Sequence, residues 1–356
     1  MARGVDVLNI SNKVGCQPPH VVGEEPCWAD CDCAGLNADL ESAADNGVLP
    51  VFALGNDRDP GVGTCNADLP ALRRSGLSVG GIDSEPYWTN YDTSPTWATE
   101  FPEYGSTSRG GMTIRLWDGR VVQDAFAITD LAAPAEFSYW YMNPPYGYDT
   151  AGVHSGTSFA APAVAGAAGM LREHFSSIGW TTDARVLLVN MLLMGDSYSY
   201  DFGGDRRYGM DPRSGAGRTH MHYPSSGNLT GPWGWGWHVF DITNSDVREF
   251  TVWDPLAESP LVRQWKVAMT WDESDYAAAT DIVLEVWNKC PPGGGEALVS
   301  LDYSWDIRKR VELTQSEISN RCLVYRVRTF DNSMPPGQFR RVYVADYFHS
   351  GNPADH

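Results

Sequence analysis

Positive charge is scarce in this chain: 26 lysines and arginines stand against 45 aspartates and glutamates over 356 residues, a formal net charge of −19. That balance argues against nucleic acid or an anionic membrane surface as a partner, because both recruit basic surfaces. Long apolar runs are missing too. No stretch of 18 apolar residues occurs, so no membrane-spanning segment is expected. The opening residues Met1-Ala2-Arg3-Gly4-Val5-Asp6 lack an apolar core, so no signal peptide is expected there.

What is present is enough chain for two domains, each with its own core. The most informative stretch is Gly156-Thr157-Ser158-Phe159-Ala160-Ala161-Pro162. From Ala160 to about Leu171 the sequence consists of small and apolar residues with no polar face. That composition predicts a helix buried on nearly all sides, whose small residues permit close backbone approach. Pro162 suits the first turn of such a helix, where its missing N–H is not needed. Ser158 then stands at a helix N-terminus, where orphan N–H groups and the helix dipole favour a developing negative charge. Farther upstream, Leu36 to Ala44 has helical periodicity and stops at Asn46-Gly47. Val48 to Leu54 is an apolar run too short for another helix, and it reads as a buried parallel strand ending at Ala53-Leu54-Gly55-Asn56-Asp57.

The string Gly156-Thr157-Ser158-x-Ala160-x-Pro162 resembles the nucleophile motif of the subtilisin-like serine proteases, with every fixed position present. The resemblance implies Ser158 as nucleophile and Asn56 as the asparagine donor of the oxyanion hole. It also implies that Ser11, Asn12 and Lys13, following the strand Val5 to Ile10, line the substrate cleft with Ala53, Leu54 and Gly55. Leu77 to Asp83 resembles the next strand, after a turn containing Pro70. Asp130-Leu131-Ala132-Ala133-Pro134 resembles the segment upstream of the nucleophile, with Ala135 where glycine is usual. A helix from Ala184 to Met194 follows, and Gly234-Trp235-Gly236-Trp237 resembles the Gly-x-Gly turn that closes the catalytic domain. The similarity covers about residues 4 to 245.

One departure matters. The family's catalytic Asp and its His-Gly-Thr motif both precede the strand matched by Val5 to Ser11, and no His-Gly-Thr occurs in this sequence. The eight histidines, His20, His154, His174, His220, His222, His238, His349 and His356, all lack that context. The expectation is therefore a chain carrying the nucleophile half of a triad, with Asp and His supplied upstream or by a second chain. A serine hydroxyl without a positioned base is a poor nucleophile, so this chain alone is expected to be inactive.

From about Glu249 the pattern alternates with period two. Candidate strands are Trp265–Trp271, Ile282–Asn288, Ala297–Tyr303, Lys309–Leu313, Cys322–Phe330 and Arg340–Tyr347, separated by turn clusters. Their spacing suggests an antiparallel sandwich. The stretches Val267 to Asp272 and Thr280 to Leu284 resemble the jelly-roll domain appended to many bacterial subtilases. The expected fold is α/β, a partial subtilisin-like parallel sheet with helices on both faces, followed by an all-β jelly roll. The boundaries read as 1–247 for the peptidase unit, 248–348 for the β unit and 349–356 for a tail.

Seven cysteines are present, five of them, Cys16, Cys27, Cys31, Cys33 and Cys65, within the first 65 residues. Disulfides are the first reading, as in the stapled loops of secreted proteases, and Cys290 with Cys322 is the leading pair. A zinc site using His20 fits no standard spacing. Asp272, Glu273, Asp275 and Asp281 have the chemistry to hold calcium as a structural ion, although a solvated acidic loop is the simpler reading. The tryptophans around Trp233, Trp235 and Trp237 read as a domain interface ahead of a ligand groove. No cofactor is required by the resemblance. The implied partner is a peptide or protein substrate, and the implied location is outside the cell. Two other readings stay open: an inactive pseudoprotease that binds peptides in its cleft, and a structural or adhesive role carried by the β unit.

Overall fold

The computed structural model describes residues 6–11, 34–56, 76–82, 114–115, 121–122, 131–134, 136–143, 147–180, 183–196, 210, 215–219, 235–252, 262–272, 280–302, 307–319, 321–330, 334 and 336–350. Asn12, Lys13, His20, the five N-terminal cysteines, Pro70, Trp233, Glu273 and Asp275 lie outside those residues.

The first strand, β1 (Val7–Ile10), is followed by helix α1 (Ala34–Asp45). The helix stops where the sequence predicts, at Asn46-Gly47, with Gly47 in the left-handed region at φ 81°. Strands β2 (Leu49–Ala53) and β3 (Leu77–Ile82) come next. The chain then forms the short hairpin β4 (Ile114–Arg115) and β5 (Val121–Val122), strand β6 (Leu131–Pro134), and the longer hairpin β7 (Glu136–Asn143) and β8 (Gly147–Ser155). Helices α2 (Thr157–Ser177) and α3 (Ala184–Leu193) follow, and then β9 (Gly195–Asp196) and β10 (Arg218–Thr219). Six of these strands make one sheet in the order β1-β2-β3-β6-β10-β9, parallel throughout except for the last pair. Leu49, Val51, Leu77 and Val79 are fully buried in it, the continuous apolar character expected of strands covered on both faces.

Helix α2 lies across β1, β2, β3 and β6. Its buried residues Ala160, Ala161, Val164, Ala167, Ala168, Leu171 and Phe175 recur at the three- and four-residue spacing of one helical face. The expectation of burial on all sides fails here. Pro162, Ala163, Gly166 and Met170 are exposed, and an added Cβ at Gly166 or Gly169 would meet nothing within 4 Å. Except for Met170, these residues carry little apolar area, so leaving them in water costs little. Pro162 is also displaced from its expected place. The helix begins at Thr157, so Pro162 is its sixth residue and lies inside it. Arg172, farther along, pairs with Asp6 at 2.8 Å and donates to the carbonyl of Gly47, tying α2 to the start of β1 and the end of α1.

Helix α3 is started by Asp183, whose carboxylate accepts from the N–H groups of Arg185 and Val186. Its residues from Val186 to Leu193 are all buried, because it is covered from two sides. It contacts β2 of the parallel sheet and two strands of the C-terminal region.

That region contains β11 (Trp235–Ile242), β12 (Val247–Thr251), β13 (Val262–Trp271), β14 (Ile282–Asn288), β15 (Ala297–Asp302), β16 (Lys309–Thr314), the one-turn helix α4 (Gln315–Ile318), β17 (Leu323–Thr329) and β18 (Arg340–Ser350). They form two four-stranded antiparallel sheets, β11-β18-β13-β16 and β12-β17-β14-β15, around a shared core that includes Trp265, Met269, Leu284, Tyr325, Val344 and Phe348. Trp235-Gly236-Trp237 is strand and not the expected turn, with Trp235 opposite Tyr347 and Trp237 opposite Ala345. The first strand of these sheets begins at Trp235 and the last ends at Ser350. Cys290 and Cys322 are disulfide-bonded, joining the end of β14 to the start of β17.

The two regions share apolar packing. Alternate residues of β18 face opposite ways: Val342, Val344 and Phe348 enter the core between the antiparallel sheets, while Tyr343, Ala345 and Tyr347 join the core of the parallel sheet. Trp237 packs on the latter core as well, which agrees with an interface role for it. Polar contacts reinforce the seam. Lys266 Nζ and Arg310 Nη2 both donate to the carbonyl of Gly195, and Arg308 donates to that of Gly76.

Candidate active site

Three chain segments meet at the C-terminal end of the parallel sheet, where open α/β sheets generally bind ligands. They are the exit of β1 at Ser11, the exit of β2 at Leu54-Gly55-Asn56, and the first turn of α2. Leu54 stays in the sheet's hydrogen bonding through its N–H to the carbonyl of Val79. Gly55, at φ 112°, then turns the chain so that Asn56 folds back towards α2.

The N-cap residue of this helix has no side chain of its own to cap it. Gly156 occupies the N-cap position with φ 151° and ψ 156°, a backbone region open mainly to glycine. A Cβ there would lie 3.1 Å from Nδ2 of Asn56, so the absence of a side chain also lets the asparagine approach.

Asn56 is fixed by its neighbour in space. Its Oδ1 accepts from the Thr157 N–H at 2.8 Å and from the Thr157 hydroxyl at 3.2 Å. That hydroxyl in turn accepts from the buried N–H of Gly55 at 3.1 Å. Because a backbone N–H can only donate, the oxygen of the amide must face Thr157, and the NH2 group is left for the other side. Asn56 is exposed, so that NH2 is accessible. The Ser158 N–H belongs to the first helical turn and has no acceptor within the helix. Two donors thus stand near one helix N-terminus, an arrangement suited to holding negative charge on an oxygen.

Ser158 itself is half-buried. Its hydroxyl donates to the carbonyl of Ser11 at 3.2 Å, and the hydroxyl of Ser11 donates to the carbonyl of Ser158, also at 3.2 Å. Among the described side chains, no histidine is hydrogen-bonded to Ser158 Oγ. His174 lies on the same helix but sixteen residues away, roughly 24 Å along the axis. His238 belongs to β11 of the C-terminal sheets. Burial holds the imidazoles of both below the usual histidine range. A carbonyl is no base, so the described residues orient the serine without activating it.

Of the expected site residues, Ser158, Asn56, Ser11 and Gly55 are brought together. Ala53 is half-buried at the end of β2, and Leu54 is fully buried in the core, which leaves only its backbone to face a substrate. Two features of the site escape sequence reasoning. Thr157 is there only one letter of a motif, and the contact of Ser11 with Ser158 joins residues 147 apart. Asp272, a candidate calcium ligand, is instead engaged by Arg185 and by the Tyr343 hydroxyl. Among the described residues no group of three or more His, Cys, Asp or Glu is placed to hold a metal.

A family model described as the subtilase family matches residues 2–211. No curated protein sequence matches the chain. Among solved structures, it is similar to the prenylagaramide maturation protease PagA, at 20% identity and TM-score 0.40 over 61% of this chain and 60% of that one. It is similar to the self-cleaved protease domain of PatA, at 22% identity and TM-score 0.38 over 64% of this chain and 62% of that one. Tripeptidyl peptidase 2 aligns with 98% of this chain and 35% of its own, at 12% identity and TM-score 0.35. The chain thus spans less than two thirds of the length of each of these three structures.

Proposed function

This chain belongs to the subtilase family, and from that premise we propose that it is the nucleophile-bearing part of a serine endopeptidase. Ser158 Oγ attacks the carbonyl carbon of a peptide bond. The oxyanion that forms is held by the Asn56 NH2 and the Ser158 N–H, aided by the N-terminus of α2. A histidine takes the serine proton and passes it to the leaving amine, and an aspartate orients that histidine. Both come from residues other than those described, or from a second chain. The observation that carries the reading is the amide of Asn56, locked by Thr157 with its donors turned outward beside a helix-borne serine.

Further parts of the reading have their own support. A jelly-roll topology for the C-terminal sheets is consistent with their two-layer antiparallel arrangement. A location outside the cell agrees with the Cys290–Cys322 disulfide, since such bonds persist in oxidising surroundings. No cofactor takes part in the proposed chemistry, and the substrate is a peptide or protein.

The test is reconstitution with a polypeptide that supplies the Asp and His. Peptide hydrolysis and labelling of Ser158 by a fluorophosphonate are expected to appear together, and to vanish in Ser158→Ala. Asn56→Ala is expected to turn over roughly 10²–10³ more slowly, a magnitude borrowed from the equivalent donor of subtilisin. A second reading has one observation in its favour, the Ser158 hydroxyl resting on the Ser11 carbonyl with no described base beside it. If the reconstituted protein binds peptides yet never labels, it is a peptide-binding pseudoprotease.

A further inference from the structure

Pro162 lies four residues after Ser158, inside α2. In an α-helix the N–H of residue 162 would bond to the carbonyl of residue 158. Proline has no N–H, and its ring crowds that same carbonyl. The carbonyl of Ser158 is therefore the one main-chain acceptor in this turn that the helix cannot satisfy. The hydroxyl of Ser11, at the end of β1, donates to it at 3.2 Å.

The donor is itself in contact with Asn9. Asn9 Nδ2 donates to Ser11 Oγ at 3.0 Å, and the Ser11 hydroxyl has two acceptors in reach, the Ser158 carbonyl at 3.2 Å and Asn9 Oδ1 at 3.3 Å. Ser11 O then accepts the Ser158 hydroxyl proton at 3.2 Å. Strand and helix thus exchange two hydrogen bonds through the same pair of residues. One bond fixes the main chain of Ser158 and the other fixes its side chain.

We propose that Ser11 is a positioning residue for the nucleophile, its hydroxyl standing in for the helix N–H that Pro162 lacks and so holding Ser158 against the end of β1. The proposal rests on the reading of Ser158 as nucleophile, and it gives Ser11 a role other than lining the cleft. Without the Ser11 hydroxyl, the Ser158 carbonyl has neither a helical nor a side-chain donor, and the turn is free to shift. A small displacement of a nucleophile is enough to lower turnover strongly without loosening substrate binding.

A double-mutant cycle tests this. Ser11→Ala is expected to destabilise the chain in urea unfolding. In a Pro162→Ala background the same change is expected to cost much less, because the alanine supplies the missing N–H. In the reconstituted enzyme, Ser11→Ala is expected to lower kcat about tenfold or more while KM changes less than about twofold, and Pro162→Ala is expected to restore most of the loss. Ser11→Thr, which keeps the hydroxyl, is expected to remain near the wild type. Equal costs of Ser11→Ala in the two backgrounds would overturn the proposal. A rise in KM at constant kcat would do the same, leaving Ser11 as a cleft residue only. Should activity survive in Ser158→Ala, the nucleophile reading fails, while the unfolding cycle still decides whether Ser11 replaces the missing donor. If Pro162→Ala does not fold, amide exchange at the α2 N-terminus in Ser11→Ala against Ser11→Thr serves instead. Faster exchange only in the alanine variant is expected, and no difference overturns the proposal.

Discussion

At the scale of single residues, Thr157 matters as much as the two residues the motif makes conspicuous. Its hydroxyl links a buried N–H to the amide of Asn56, and its backbone N–H determines which end of that amide faces the cleft. Thr157→Val keeps the shape and removes both bonds. The Gly55 N–H then remains buried without an acceptor, a cost of about 1–3 kcal/mol that chemical denaturation would register. The same variant is expected to slow reconstituted turnover, since the Asn56 amide is then held by a single bond, and Thr157→Ser is expected to recover both stability and rate. None of this is legible in the sequence. Ser158 and Asn56 can be found because a motif marks them, whereas the role of Thr157 depends on a contact across 101 residues.

At the scale of elements, helical periodicity predicts α1, a short apolar run between turn residues predicts β2, and an unbroken stretch of small and apolar residues predicts α2. The errors have local causes. Composition places the start of α2 too late because its N-cap glycine makes no side-chain capping bond, and this makes an interior Pro162 look like a first-turn residue. The Gly-x-Gly of residues 234–236 reads as a turn, but Gly236 sits in β11 because its missing side chain admits the carboxyl of Asp346 from β18. That carboxyl has a consequence of its own. It is held inside the sheets with the Trp265 Nε1–H and the Tyr325 hydroxyl as its donors, and His238 follows Gly236 along the same face of the neighbouring strand. Burial pushes it up to about 6 from an ordinary 3.8, against the pull of those two donors. Between those two values the folded state therefore keeps a proton that the unfolded chain has lost. The contribution to stability is full at the acid end, is lost as pH rises through that window and stays lost above it. Asp346→Asn is expected to be more stable than the wild type above about pH 6, by up to about 3 kcal/mol, with the difference disappearing towards about pH 4. Melting curves of both proteins across that range check it, and a variant less stable at neutral pH would show that the charge is better accommodated than its burial implies.

At the scale of the whole molecule, the sequence divides more cleanly than the structure does. Alternation begins near residue 249 and points to two independent units. Yet Tyr343, Ala345 and Tyr347 complete the core of the parallel sheet, and α3 is covered by both regions. The run Val342-Tyr343-Val344-Ala345 is apolar on both faces, the mark of a strand covered on two sides, but the sequence does not say which element covers the second face. A chain ending before Trp235 is expected to be insoluble or to lack a cooperative melt, because α3 would expose one of its two apolar sides. A soluble fragment with a sharp transition would show that the parallel sheet is self-sufficient.

The buried guanidinium of Arg308 on the carbonyl of Gly76 spans 232 residues of chain. During synthesis at about 5–20 residues per second, Arg308 would emerge roughly 12 to 46 s after Gly76. For that interval the third strand of the sheet waits for a donor that has not yet been made. The nascent chain would hold its apolar strands without their final cover, in the window when holdase chaperones and proteases compete for it. A seam that stabilises the finished molecule is thus, on the ribosome, its period of greatest exposure.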